Sequence, residues 1–353
     1  MKKMMIISAI VALLVLVIIS ILYYFMTKPM YEIGMVKKDY ILEPPMQTSD
    51  KKGYWNVEKD IELHYFTQGS GNKKILVIHG GPGYPFTKPY EALDSFSDEF
   101  TFYYYHQRGC GNSTKPIDKF SGGNYYKNMK TLVNKLGIGA QIADIERIRK
   151  ILKEDKLIII GHSFGAFIAS MYAAEFPENV EKMILISPAD VVKMPNKNKG
   201  LFEQIKQYIP SDKIDEYNDF LDRYLDYKNI FQKSEEELAS IGREFMEYYA
   251  LAMDTKGITF IDSGTDINTN GGWMPHGLFM SIGIRHDYSS GLKKIKIPVS
   301  IIHGSDDFQP ENASKKYESY FDNSDFHTIE NAGHFLYNEK PEEFSKIIDS
   351  FLK

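Results

Sequence analysis

Residues 158–166 read Ile-Ile-Ile-Gly-His-Ser-Phe-Gly-Ala, an apolar run that leads straight into Gly-x-Ser-x-Gly. The order predicts a buried strand, a sharp turn and a helix, with Ser163 held at the turn in a strained, exposed conformation. Gly161 and Gly165 flank the serine because backbone packs on backbone in such a turn and leaves no room for a Cβ. Phe167, Ile168, Met171 and Tyr172 follow at helical spacing. A glycine-rich turn with an incidental serine is the competing reading. The strand before it and the helix after it argue against that.

The remaining apolar runs say what surrounds this turn. Residues 75–78, 100–105, 157–160, 183–186 and 299–302 are short runs, apolar but for Thr101 and Ser300, with helical stretches between them. Such runs suit a mostly parallel sheet flanked by helices on both faces. Residues 54–57 and 61–66 alternate instead and predict an antiparallel hairpin. In residues 143–152, Ile145, Ile148 and Leu152 fall on one helical face. Between residues 190 and 288 the strand signal vanishes. Ser234-Glu-Glu-Glu reads as a capping box, and Leu238, Ile241, Phe245, Tyr248 and Ala252 follow at helical spacing. Residues 201–208 and 212–227 are two further helical stretches. The expected organisation is a core split into residues 52–189 and 289–353, with residues 190–288 inserted as a helical lid over the site.

Composition is that of a globular chain, 43% hydrophobic and 25% charged. A formal net charge of -5 without a basic run argues against nucleic acid as a partner. Residues 4–26 carry no charge and are long enough to cross a hydrocarbon core of roughly 30 Å at about 1.5 Å per residue. Lys2 and Lys3 precede the run, and Tyr23 and Tyr24 sit where an interfacial aromatic belt would lie. A cleavable signal peptide is the alternative, but the run is long for one and no small-x-small site follows it. A single-pass N-terminal transmembrane helix is therefore expected, with residues 27–51 as a tether and an extracytoplasmic catalytic domain. The one cysteine, Cys110, fits either compartment.

A serine hydroxyl needs a base within hydrogen-bond reach, itself oriented by a carboxylate. With a Gly-x-Ser-x-Gly turn these partners follow in the order serine, acid, histidine. The run at 299–302 leads into His303-Gly-Ser-Asp-Asp307, and Asp307 is the expected acid, with Asp306 as the fallback. His334 follows a strand and an Ala-Gly turn and is the expected base. Acyl transfer also needs donors for the oxyanion. The Phe164 backbone N–H supplies one. The loop His79-Gly80-Gly81-Pro82-Gly83, directly after the run at 75–78, supplies the other. No His, Cys or carboxylate cluster has metal-ligand spacing, so neither a metal nor another cofactor is expected.

Taken together, His79-Gly-Gly-Pro-Gly, Gln107-Arg-Gly-Cys-Gly-Asn-Ser113, Asp144-Ile-Glu-Arg-Ile-Arg and Gly-His-Ser163-Phe-Gly resemble the proline iminopeptidase group of α/β-hydrolases. The resemblance runs over residues 54–190 and resumes from 298 to the C-terminus. It implies the α/β-hydrolase fold, a Ser163, Asp307 and His334 triad, and an oxyanion hole from Gly80 or Gly81 with Phe164. It also implies metal-independent release of N-terminal residues, often proline, from short peptides. Two positions depart from the pattern: His106 stands where the group usually has Asp, and Phe164 where Trp is common. His106 is read as structural, and His79 and His162 as turn residues packing beside the site. An aminopeptidase must pair the substrate ammonium with a carboxylate. Glu244 and Glu247, beside Phe245, Tyr248 and Tyr249, are the expected substrate-binding pair. A carboxylesterase acting on small esters is the alternative, and a non-catalytic binding protein on the same fold a remote one.

Overall fold

The apolar runs pair into one sheet, and the way the chain crosses it decides where a site forms. The computed structural model describes residues 2–48, 51–196, 199–258 and 264–353, leaving aside the side chains of residues 2–4, 8, 9, 22, 25 and 26. Among the described residues the strands are β1 (Tyr54–Glu58), β2 (Ile61–Gln68), β3 (Lys73–Ile78), β4 (Phe100–Tyr105), β5 (Leu157–His162), β6 (Val180–Ile186), β7 (Lys193–Met194), β8 (His286–Asp287), β9 (Val299–Gly304) and β10 (Ser324–Ile329). Eight of them form a sheet in the order β1-β2-β4-β3-β5-β6-β9-β10. β1 and β2 pair antiparallel, as do β2 and β4. From β4 to β10 every pairing is parallel.

After β3 the chain steps outward to β4, then returns across β3 to lay down β5 on its other side. That reversal leaves a crevice at the carboxyl ends of β3 and β5, where open α/β sheets bind ligands. The register Ile78↔Gly161 sets the two strand ends side by side. Side chains alternate between two cores. Leu76, Ile78, Ile159, Leu185 and Ile301 pack on one face with helices Ile138–Leu152 and Phe164–Glu175. Ile75, Val77, Ile160, Ile184 and Ile302 pack on the other with helix Pro341–Leu352.

The insertion between β6 and β9 holds helices Leu201–Lys206, Ile214–Tyr224, Glu235–Thr255 and Trp273–Ile282, and β7 pairs with β8 at its root. The capping box forms at Ser234: its Oγ accepts from Glu237 N, and Ser234 N donates to the Glu237 carboxylate. Trp273–Ile282 has no counterpart in the sequence reading. It is apolar on most sides, with Trp273, Met274, Leu278 and Ile282 all buried, so it carries no amphipathic period to detect.

An N-terminal helix runs over Lys2–Thr27. Its described side chains are continuous only from Ile10 to Ile21, and among the described residues no helix is long and apolar enough to cross a membrane. The expected transmembrane span is therefore not found in the structure. The segment expected as a tether, whose residues 49 and 50 lie outside the described part, is held against the core over its first half. Tyr31 and Val36 are buried. The Glu175 carboxylate accepts from Tyr31 Oη (3.1 Å), Gly34 N (2.5 Å) and Lys37 N (3.1 Å). Main-chain N–H groups make most of that clamp, and they leave no side-chain pattern in the sequence.

Candidate active site

Ser163 sits between β5 and helix Phe164–Glu175 at φ 54°, ψ -119°. A non-glycine residue there is strained and persists only when its surroundings over-determine it. They do so here. Ser163 N donates to Ile186 O (2.8 Å). A Cβ on Gly161 would come within 2.6 Å of Ala166 Cα, and one on Gly165 within 2.3 Å of Ile78 O. The turn can close only with glycine at both positions. Phe164 opens the helix, so its N–H has no acceptor within the helix.

Asp307 follows β9, and its Oδ2 accepts from His334 Nδ1 at 2.7 Å. Its other oxygen accepts from Gln309 N at 2.8 Å. Burial by itself would raise the Asp307 pKa. The His334 charge and hydrogen bond, with help from His303 and Gln309 N–H, outweigh it and hold the carboxyl below its ordinary range. Because an ionised carboxylate only accepts, Nδ1 carries the proton and Nε2 is left as the acceptor. Asp306 is engaged through its main chain instead, donating to Ala332 O (2.8 Å) and accepting from Lys256 Nζ (2.7 Å).

Gly80 lies against the serine: a Cβ there would meet Ser163 Cβ at 2.7 Å. Gly81 and Gly83 take positive φ angles, 115° and 85°, that glycine alone adopts readily. The loop is braced from behind. Buried His79 places Nδ1 3.0 Å from Gly80 O, its Nε2 accepts from Gln107 N (3.2 Å), and Gln107 Nε2 donates to His79 O (2.8 Å). Burial, first among its influences, lowers the His79 pKa to about 3 and keeps the ring neutral. Next in the chain, buried Arg108 meets Asp144 in a bidentate pair at 2.5 Å and also reaches Glu58 (2.8 Å). His106 bonds the main chain at Phe86 O (3.0 Å) and Asn112 N (2.9 Å), a structural placement.

Gly80, Gly81, His162, Ser163 and His334 line one cavity of about 40 Å³. Phe164 adjoins it through its place beside Ser163. The rest of the wall is Tyr84, Leu201, Phe245, Met246, Tyr249, Thr265 and Phe335. None of these described residues is acidic. Glu244 instead forms a bidentate pair with Arg223 (2.7 and 2.6 Å), whose hydrogen bonds chiefly lower its pKa. Glu247 is exposed and lies outside the cavity wall. The expected carboxylate pair is thus not part of this cavity. Consecutive helical residues point about 100° apart, so Glu244 turns away where Phe245 turns in. Of the aromatic residues named beside that pair, Phe245 and Tyr249 do line the cavity and Tyr248 does not; Met246, three residues before Tyr249, lines it too and was not named. Tyr84, Leu201 and Phe335 come from separate loops and helices, and no local spacing signals them.

Residues 73–341 match the family described as alpha/beta hydrolase fold, and the chain belongs to that family. Within it the chain is proline iminopeptidase-like. It is 26% identical over 304 residues to the proline iminopeptidase of Lactobacillus acidophilus, covering 82% of this chain and 94% of that one. It is 23% identical over 345 residues to the proline iminopeptidase of Saccharolobus solfataricus, covering 94% and 96%. Two solved structures share the fold: a thermophilic esterase from Thermogutta terrifontis (TM-score 0.53, 17% identity, 83% of this chain and 93% of that one) and VinJ (TM-score 0.54, 16% identity, 88% and 98%).

Proposed function

We propose that this α/β-hydrolase is a serine hydrolase that works through an acyl-enzyme on substrates with a compact, uncharged acyl group. The carrying observation is that His334, held at 2.7 Å by Asp307, lines the same small cavity as a serine at positive φ. In this reading His334 Nε2 takes the Ser163 Oγ proton as Oγ attacks the substrate carbonyl. The tetrahedral oxyanion is met by the N–H of Phe164 and of Gly80 or Gly81. The imidazolium then returns its proton to the leaving group, and water repeats the sequence to free the acid. The apolar wall of Leu201, Phe245, Met246 and Phe335 suits a short acyl chain or a small ring. It favours small-ester hydrolysis, since a desolvated ammonium needs a carboxylate that none of the described wall residues supplies.

Kinship with the proline iminopeptidases favours a second reading, release of an N-terminal residue from a short peptide. A fluorogenic panel on the purified full-length protein separates the two. It compares prolyl and alanyl amides, their N-blocked forms and short-chain acyl esters. Preference for free-amine amides over their blocked forms by more than tenfold would replace the ester reading with the peptidase one.

We also propose the N-terminal helix as a single-pass membrane anchor with the catalytic domain extracytoplasmic. In support, Ile6, Ile7, Leu13, Leu14, Leu16 and Ile18 are exposed apolar side chains spread around that helix. Extraction of the protein from membranes by alkaline carbonate would refute the anchor. Resistance of the domain to protease added outside intact cells would refute the orientation.

A further inference from the structure

One histidine at the site takes no part in the chemistry just described. His162, the residue before the nucleophile, is buried, and its Nε2 lies 2.9 Å from the main-chain carbonyl of His334. A carbonyl oxygen only accepts, so His162 is the neutral tautomer with its proton on Nε2. Burial, followed by the neighbouring His334, lowers its pKa to about 3. The two rings are 4.7 Å apart between centroids. The Nδ1 edge of His162 faces the oxyanion loop, 3.2 Å from where a Gly80 Cβ would stand. His162 therefore spans from the elbow to the base, with its far edge against the loop at Gly80.

The loop that carries His334 has one further support. The Glu339 carboxylate turns back to accept from Gly333 N and from Phe335 N, the latter at 3.1 Å. The N–H groups on both sides of His334 are held by Glu339, its ring by Asp307, and its carbonyl by His162. We propose that His162 is a positioning residue: its Nε2–H fixes the His334 main chain so that the imidazole stays in register with Ser163. This rests on the serine-hydrolase reading above. The elbow thus supplies both the nucleophile and, one residue earlier, the hydrogen bond that indexes the base to it.

The test compares His162→Ala with His162→Gln, whose side-chain amide N–H reaches about as far as imidazole Nε2–H. The readouts are the rate of Ser163 labelling by a fluorophosphonate, the kcat and KM for p-nitrophenyl acetate, and the downfield proton resonance of His334 Nδ1–H. Labelling of wild type but not of Ser163→Ala establishes the hydrolase reading first, and its absence sinks that reading whatever His162 does. In His162→Ala, labelling and kcat should fall roughly 10- to 100-fold with KM little changed, as expected for a base displaced by about 1 Å. The downfield resonance should broaden or vanish. His162→Gln should restore labelling to within a few-fold of wild type and bring the resonance back. Wild-type labelling in His162→Ala overturns the proposal, as does equal loss in the alanine and glutamine variants at matched thermal stability. If His162→Ala does not fold, His162→Met, of similar length but without a donor, takes its place against His162→Gln.

Discussion

Replacing Asp307 with Asn changes one atom of the site, and its consequence can be worked from the two hydrogen bonds the carboxylate makes. Oδ1 accepts from Gln309 N at 2.8 Å and Oδ2 from His334 Nδ1 at 2.7 Å. An asparagine has one oxygen to offer. The Gln309 N–H is a fixed main-chain donor, so that oxygen stays with it and the amide NH₂ is turned toward His334. Nδ1 must then accept, the proton moves to Nε2, and the imidazole presents a donor where Ser163 Oγ needs an acceptor. The equivalent change in a serine-protease triad costs about 10⁴-fold in kcat, or about 5 kcal/mol of barrier at about 1.4 kcal/mol per decade. The same loss is expected here, with KM within a few-fold of wild type because Asp307 is not among the residues that wall the cavity. Turnover of p-nitrophenyl acetate and fluorophosphonate labelling measure it, and a circular-dichroism melt checks that the fold is kept. Retention of more than a hundredth of wild-type kcat would refute the tautomer argument. A larger loss in Asp306→Asn would refute the assignment of the acid.

Ser163→Ala should lower kcat on the order of 10⁶-fold and abolish labelling while leaving the thermal midpoint near wild type, since the hydroxyl contributes chemistry and little packing. Glu244→Gln should leave KM for both aminoacyl amides and esters within twofold of wild type, because its partner is Arg223 and not the cavity. The cost in stability should be about 0–1 kcal/mol, as for other exposed pairs. The pH dependence of stability has a defined sign. Burial lowers His79 and His162 to about 3 and His106 and His276 to about 4, against about 6.5 in the unfolded chain. Between about pH 4 and 6.5 the unfolded chain therefore binds more protons, and stability is lost as pH falls through that window. Four such groups give a slope of up to about 5 kcal/mol per pH unit near pH 5. Chemical denaturation at stepped pH reads it, and His162→Gln should remove about a quarter of that slope.

What was legible in the sequence follows from the range of the interactions involved. The elbow was legible because its glycines and its serine stand at fixed local spacing, with Gly161 against Ala166 and the strain at Ser163, although Ile78 and Ile186 complete it from other strands. The sheet was legible because β5 and β9 are buried on both faces and are mostly apolar. Asp307 and His334 were legible only as strand-end residues in the right order. Their 2.7 Å contact depends on β9 and β10 lying side by side, which no local pattern states. Contacts made by main-chain groups were invisible: the Glu175 clamp on residues 31–37 and the His162 bond to the His334 carbonyl carry no residue signature on the accepting or donating strand of backbone. The helix Glu235–Thr255 shows the finer limit. Its amphipathic period identified the right face, but the choice of Glu244 rested on adjacency to Phe245, and adjacency on a helix is a rotation of about 100°. Residues three and four apart share a face, so Phe245 pairs with Tyr249, and Met246, three residues before Tyr249, borders the same cavity; both are apolar or aromatic. Read by phase and not by proximity, the same sequence describes an apolar wall, and an apolar wall selects an uncharged acyl group.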